Sequence, residues 1–329
     1  MAKIIGIGNA LVDVLRYLDS DEALVRLGLA KGSMQLIDND EAVRLNSLIA
    51  GLQSEMATGG SAANTILALA LLGDEAGLLG CIGQDEMGRY LEKQARERGI
   101  EAHFFTKTDT PTGVATTFIT PDGERTFATH LGAAAMMEPE MLKQGCMDGY
   151  QLLHVEGYLV QNHDLMEHLM QMAKDNGLAV SYDLASYNVI RDDYDFVRHI
   201  VTDYVDIVFA NQDEAAAFSR QDNPEVALRQ LAELTSTAVV KLGSKGAIGM
   251  HRKADGTLHH AEAPLRNKVK VVDTTAAGDF FAAGFLHGLI HECDLTSCLE
   301  LGNSIAAEVI QVTGTAVSKT QLRKAIGLE

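Results

Sequence analysis

Asp279 is a carboxylate in an electrostatically awkward place. It belongs to Asp273-Thr-Thr-Ala-Ala-Gly-Asp-Phe-Phe-Ala-Ala-Gly-Phe285, which follows an apolar run (Val269, Val271, Val272), turns through small residues and enters a helical pattern. Ala276, Ala277 and Gly278 have almost no side chain, so their backbone N–H groups can approach a ligand closely. Unpaired donors at a helix start, backed by the positive end of the helix dipole, favour an anion such as phosphate. A carboxylate there repels that anion, unless it takes a proton from a hydroxyl that attacks the phosphorus. The alternative is a packing turn with Asp279 as an N-terminal charge partner, and the local pattern supports both equally.

The elements that must position this segment follow from the hydrophobic pattern. Val269–Val272 reads as a strand leading into it. Lys3–Gly8, Ala76–Ile82, Gln151–Val155, Leu178–Tyr182, Asp206–Ala210 and Thr237–Leu242 read as buried strands. Helical patterns alternate with them: Ser61–Leu72, Asp85–Arg98, His163–Asn176, Pro224–Leu234, Gly278–His291 and Leu295–Val312. That rhythm predicts an α/β fold, a doubly wound, mostly parallel sheet with helices on both faces. Residues 12–38 and 101–129 break it with alternation and turn signals, among them Asp122-Gly123. We read one domain over residues 1–329 with a small β-sheet lid inserted from those two stretches.

In such sheets ligands sit beyond the carboxyl ends of the strands. The glycine-rich and polar breaks fall there: Gly8-Asn9 with Asp13, Gly59-Gly60-Ser61 with Asn64, Asn211 with Glu214, and Gly243-Ser244-Lys245-Gly246. Each one alone is ordinary strand punctuation; their convergence on one edge makes a site. Gly6-Ile7-Gly8 begins like a dinucleotide fingerprint, but Leu11 replaces its third glycine.

Composition narrows the partners. With 27 basic against 45 acidic residues, the net charge of −18 disfavours nucleic acid and anionic membranes. Cys81, Cys146, Cys293 and Cys298 show no metal-ligand or Cys-x-x-Cys spacing, which suits reduced thiols. No leader-like start and no uncharged stretch apolar enough for a membrane is evident, so we expect a cytoplasmic protein.

Two motifs in order, Gly59-Gly60-Ser-Ala-Ala-Asn64 and Asp273–Asp279 with Asn211-x-x-Glu214 between them, resemble the ribokinase-like (phosphofructokinase-B) family of carbohydrate and purine kinases. The resemblance runs from Gly6 to about Ser318. Most members carry glycine at the Ala276 position. The resemblance implies transfer of the γ-phosphoryl group of ATP to a hydroxymethyl group. It makes Asp279 the general base and the amides of Ala276, Ala277 and Gly278 an anion hole. Arg125 becomes a lid arginine that reaches the phosphates. Asn211 and Glu214 organise Mg²⁺, largely through water. Lys241, Gly243, Ser244 and Gly246 lie along the nucleotide, with Asn303 near the adenine side. Some relatives also hold K⁺ near Asp273, Thr275 and Gly314.

For the acceptor, Gly8-Asn9-Ala-Leu-Val-Asp13 is similar to the pattern of adenosine-kinase-type members, in which Asn and Asp hold ribose hydroxyls. Gly60, Ser61 and Asn64 match further contacts of that subgroup, and Tyr158 stands where it places an aromatic ring against the purine. Tyr158 is equally well read as core packing at a strand end. The resemblance therefore implies a nucleoside acceptor, most of all adenosine, with a sugar (ribose, fructose or a 2-keto-3-deoxy sugar acid) as the alternative. It implies a monomer or a homodimer.

Overall fold

Short, mostly apolar runs suit a sheet covered on both faces. The computed structural model, which describes residues 2–122, 124–265 and 269–328, forms strands at all six of them. In chain order the strands are β1 (Ile4–Ile7), β2 (Leu11–Tyr17), β3 (Met34–Leu36), β4 (Ser54–Gly59), β5 (Ala76–Gly83), β6 (Glu101–Lys107) and β7 (Gly113–Ile119). There follow β8 (Arg125–His130), β9 (Leu152–Glu156), β10 (Ala179–Asp183), β11 (Ile207–Asn211), β12 (Thr237–Lys241), β13 (Ala247–Arg252) and β14 (Leu258–Ala263). A nine-stranded sheet has the order β14-β13-β12-β11-β10-β9-β1-β5-β6, and a five-stranded sheet the order β3-β8-β7-β2-β4. In the large sheet only β13 and β14 run antiparallel to their neighbours.

Alternation along each strand sends neighbouring side chains to opposite layers. Ile5, Val155, Val180 and Tyr182 pack with helices His163–Asp175, Tyr194–Tyr204 and Pro224–Leu234. Ile4, Phe209 and Val239 pack with Ser61–Leu72, Ala277–Ile290 and Leu295–Val309. Phe209 meets Phe285 edge-on, with centroids 5.2 Å apart and planes at 85°. That contact seats the helix beginning at Ala277 on the sheet, so its first turn, with Asp279, overhangs the strand ends.

In the small sheet, Phe118 and Ala128 pack with Leu24, Leu45 and Ile49 of the helices Asp21–Leu27 and Asn39–Ile49. The opposite face carries Asp13, which registers with Ala115 and through it with Thr129. Arg125 pairs with Ile119 and so shares that face.

Several expectations differ from the structure. Glu101–Lys107 pairs with β5 and closes an edge of the large sheet; its alternation reflects a solvent-facing edge, not a lid. The small sheet instead gains β4, whose polar Ser-Glu-Met-Ala-Thr-Gly sequence reads as loop. Val269–Val272 forms no strand: Val271 and Val272 are 55% and 51% exposed, and the Val272 N–H donates to the Ile310 carbonyl at 2.8 Å. The expected turn at Asp122-Gly123 includes Gly123, which lies outside the described residues. Among the described residues no helix is long and apolar enough to cross a membrane.

Candidate active site

Two helix N-termini meet at Asp279. Ser61 Oγ donates to one carboxylate oxygen at 2.7 Å and Asn64 Nδ2 to the other at 2.9 Å. Thr65 Oγ1 donates to the Asp279 carbonyl at 3.2 Å. Burial pushes the Asp279 carboxyl up to about 6, against the two hydrogen bonds, and Asp183 adds to the rise. Beside it, Ala276 has φ 60°, the left-handed conformation in which glycine is at ease and alanine is strained. The Ala277 N–H donates to the Thr274 carbonyl at 3.2 Å, whereas those of Ala276, Gly278 and Asp279 have no acceptor among the described residues. The free donors thus differ from the expected set by one member, Asp279 standing in place of Ala277.

Glu156, absent from the sequence expectations, organises the other side. Buried at the end of β9, it accepts the Asn9 N–H at 2.9 Å, Asn9 Nδ2 at 2.5 Å and the Ala62 N–H at 3.1 Å. Burial pushes its carboxyl up to about 7 despite those three donors. It ties the loop after β1 to the start of the helix that holds Asp279. Gly60 (φ 98°) completes the joint, because a Cβ there would collide with the Asn9 carbonyl.

Asp13 faces the same space from the small sheet. Its carboxylate fills the position where a side chain at Gly59 would begin, which explains that glycine. It has no hydrogen-bond partner among the described residues. Burial, then Asp279, pushes its carboxyl up to about 7, with Arg125 opposing. Asn64 Oδ1 is buried and likewise without a partner.

The ends of β10, β11 and β12 supply a charged cluster. Lys241 Nζ donates to Asp183 Oδ2 at 2.8 Å and lies 3.1 Å from where a Cβ on Gly278 would sit. Burial pulls the Lys241 ammonium down, but Asp183 and Glu214 outweigh it and the net shift is upward. Asn211 and Glu214 form a capping box: Asn211 Oδ1 accepts the Glu214 N–H at 2.9 Å, and the Glu214 carboxylate accepts Asn211 N–H and Nδ2 at 2.7 and 2.6 Å. Burial pushes Glu214 up to about 7, with Lys241 opposing. Asp183, like Glu156, escaped the sequence reading. In both cases the available signal was a single polar residue ending a buried strand, as Asn211 ends β11.

Arg125 ties the small sheet to the loop that precedes Ala276. Its guanidinium lies 2.7 Å from Asp273 Oδ2 and donates to Thr275 Oγ1 at 3.0 Å. Asp273 also accepts the N–H groups of Thr275 and Gly314, at 2.9 and 2.5 Å, and so holds the loop before Ala276. Gly243 and Ser244 form an exposed turn after β12, and Gly246 (φ 97°) closes it. Asn303 spends its amide on the Ala263 carbonyl at 2.7 Å, a packing role that needs no nucleotide. Tyr158 is half-buried, its hydroxyl 3.4 Å from the Ala185 carbonyl.

A helix start with free donors, a near-neutral carboxylate and a lysine, all on the carboxyl edge of a doubly wound sheet, define a phosphotransferase of the α/β class. Comparison with known proteins makes that class specific: the pattern of the pfkB family carbohydrate kinases matches residues 22–322, and the chain belongs to that family. It is 29% identical to an adenosine kinase of Dictyostelium discoideum over 97% of both chains. A solved adenosine kinase from Sinorhizobium meliloti is 31% identical, with a TM-score of 0.87 over 98% of this chain and 99% of that one. A probable sugar kinase from Rhizobium etli is 30% identical, with a TM-score of 0.86 over 100% and 99%. The protein is a kinase, with ATP as co-substrate and Mg²⁺ as the customary ion of its family.

Proposed function

We propose that the enzyme transfers the γ-phosphoryl group of ATP to the 5′-hydroxymethyl of a nucleoside, adenosine first. The observation that carries this reading is Asp279, held by Ser61 and Asn64 at a helix start with free amides, opposite a partnerless Asp13. Relatives named as adenosine kinases, aligned over nearly their whole length, support the choice of acceptor. In this scheme Asn9, Asp13, Gly60 and Asn64 bind the ribose, and Tyr158 flanks the base. Asp279 takes the 5′-hydroxyl proton, and the amides of Ala276 and Gly278, with Lys241 and Arg125, receive the phosphates. A loose phosphoryl-transfer transition state asks mainly for such positioning and charge neutralisation.

Mg²⁺ suits the residues present. Asp183 acts electrostatically on both Glu214 and Asp279 with Lys241 as the shared cation of all three, and Glu214 is already pushed up to about 7. A hard dication with oxygen ligands relieves that excess of negative charge. Asn211 and Glu214 would hold it through water, and when bound it draws charge from the phosphate oxygens. K⁺ at the carbonyls near Asp273, Thr275 and Gly314 is the finer part of the proposal. We place the enzyme in the cytoplasm, as a monomer or a homodimer. That sheet is proposed to close over the acceptor and exclude water.

The relative named as a sugar kinase favours a second reading, a free sugar as acceptor. ADP release measured with adenosine, inosine, guanosine, ribose and fructose separates the two: turnover of a sugar without turnover of any nucleoside overturns the first. Asp279→Asn is expected to lower kcat at least a thousandfold, about 4 kcal/mol of barrier, with ATP affinity kept. Undiminished turnover overturns the base assignment.

A further inference from the structure

Helix Ser61–Leu72 and helix Ala277–Ile290 meet not only at Asp279 but also at their other ends. Asp74, just after Gly73 caps the first helix, is buried with 3% of its side chain exposed. One of its oxygens lies 2.7 Å from His287 Nδ1 and the other 3.0 Å from His291 Nε2. The two histidines stand one helical turn apart, and the three donor atoms all lie within 4.8 Å of one another. We propose that Asp74, His287 and His291 form a site for a transition-metal dication such as Zn²⁺, separate from the Mg²⁺ that serves the phosphates.

Three features point there. The first is donor chemistry: two imidazoles and one carboxylate prefer a borderline dication over Mg²⁺ or Ca²⁺. The second is spacing. Ligands bound at about 2.1 Å in tetrahedral geometry stand about 3.4 Å apart, so the Asp74–imidazole separations of 2.7 and 3.0 Å need open by well under an ångström, and the two imidazole nitrogens already lie within 4.8 Å of each other. Each imidazole moves its N–H to the far ring nitrogen and offers the metal a lone pair, so no net proton is released. The third is the field. Both helices end here, and their negative poles converge on the cluster. Arg323 already donates to the Leu72 carbonyl at 2.7 Å, so the same pole draws one cation. His291 is 36% exposed and gives the ion an entry path. The site lies about 12 Å along the helix from Asp279, so an ion there staples the helix pair whose opposite ends hold the proposed base.

The test uses the full chain, without nucleotide, carrying Cys293→Ser, because the exposed Cys293 thiol two residues on would take the same metals. Co²⁺ is titrated and followed by its visible ligand-field absorption, then displaced with Zn²⁺ in the presence of excess Mg²⁺. One ion per chain is expected. His291→Ala, at a partly exposed position that folding tolerates, should weaken it about a hundredfold or more, since losing even a ligand's supporting partner weakens metal sites about 10–100-fold. A thermal midpoint that rises with Zn²⁺ in the parent but not in His291→Ala supports the site independently, by mass action. Unchanged affinity in His291→Ala overturns the site. So does binding that Cys293→Ser abolishes, or binding lost instead with His260→Ala of the more exposed Glu225–His260–Glu262 group.

Discussion

Replacing Asn64 by alanine tests the proposed base without touching its carboxylate. Asn64 Nδ2 donates to Asp279 at 2.9 Å, a bond to the charged form that holds the carboxyl below where burial alone would put it. Hydrogen bonds to charged groups are worth about 1.5–3 kcal/mol, and one pKa unit is about 1.4 kcal/mol. Asp279 keeps a little exposure to solvent, so water replaces part of the lost donor, and the lower end, about one unit, applies. With Asp279 near 6, kcat/KM should fall on the acid side of that pH, and in Asn64→Ala the limb should move to about 7. At pH 6 the variant then loses about fivefold beyond any change seen on its alkaline plateau. The plateau change is the pH-independent loss of acceptor contacts, so one profile separates the two roles. Asp13, Glu156 and Glu214 also lie near 7. The wild-type limb therefore belongs to the group, and the displacement, not the absolute value, reports Asp279. Ser61→Ala should move the limb the same way through its 2.7 Å bond. Initial-rate profiles that superimpose after normalisation refute the assignment.

Glu156→Gln should flatten the pH dependence of stability. The folded carboxyl sits at about 7 against an unfolded 4.5, so the folded chain binds the extra proton, and its stability falls as pH rises through that window. The difference of 2.5 units corresponds to about 3 kcal/mol by pH 8, read as a smaller drop in melting temperature between pH 5.5 and pH 8 in the variant; equal drops contradict it. Arg125→Ala should cost about 3 kcal/mol in denaturant unfolding, because Asp273, 1% exposed, loses its cation and keeps only two N–H donors. It should also lower kcat more than acceptor affinity. A variant of unchanged stability shows the tie between the small sheet and the Asp273 loop to be idle.

The parts of the fold legible in sequence were those with burial on both faces. β1, β5 and β9–β12 read as mostly apolar runs because helices cover both sides. The edges were not legible. β6 alternates because one side meets water, β4 is polar, and β13 and β14 run antiparallel beyond the motif-bearing strands. Val269–Val272 misled in the other direction: apolar side chains without a neighbouring strand to bond form no ladder. In the site, multi-residue motifs announced themselves, whereas Glu156 and Asp183 are single acids whose importance comes from what the fold brings to them. Asn211-x-x-Glu214 was legible twice over, since the spacing that suits a metal also makes a capping box.

The charge pattern of the site bears on the acceptor as much as on the donor. Its two cations are already engaged, Lys241 with Asp183 and Arg125 with Asp273. Its carboxylates are pushed upward by burial and by one another, so the space between Asp13 and Asp279 is short of positive charge. A chain with a net charge of −18 adds no long-range attraction for an anion. ATP therefore needs its metal and the helix-start amides to be accepted. On the proposed acceptor side, against Asp13 and Asn64, no uncommitted cation among the described residues stands ready to pair with a charged substrate. An anionic acceptor such as a keto-sugar acid would meet repulsion there. A neutral polyol offers hydroxyl donors that Asp13 and the bare Asn64 Oδ1 can accept. Within the pfkB family, the electrostatics thus favour a nucleoside or neutral sugar over a sugar acid.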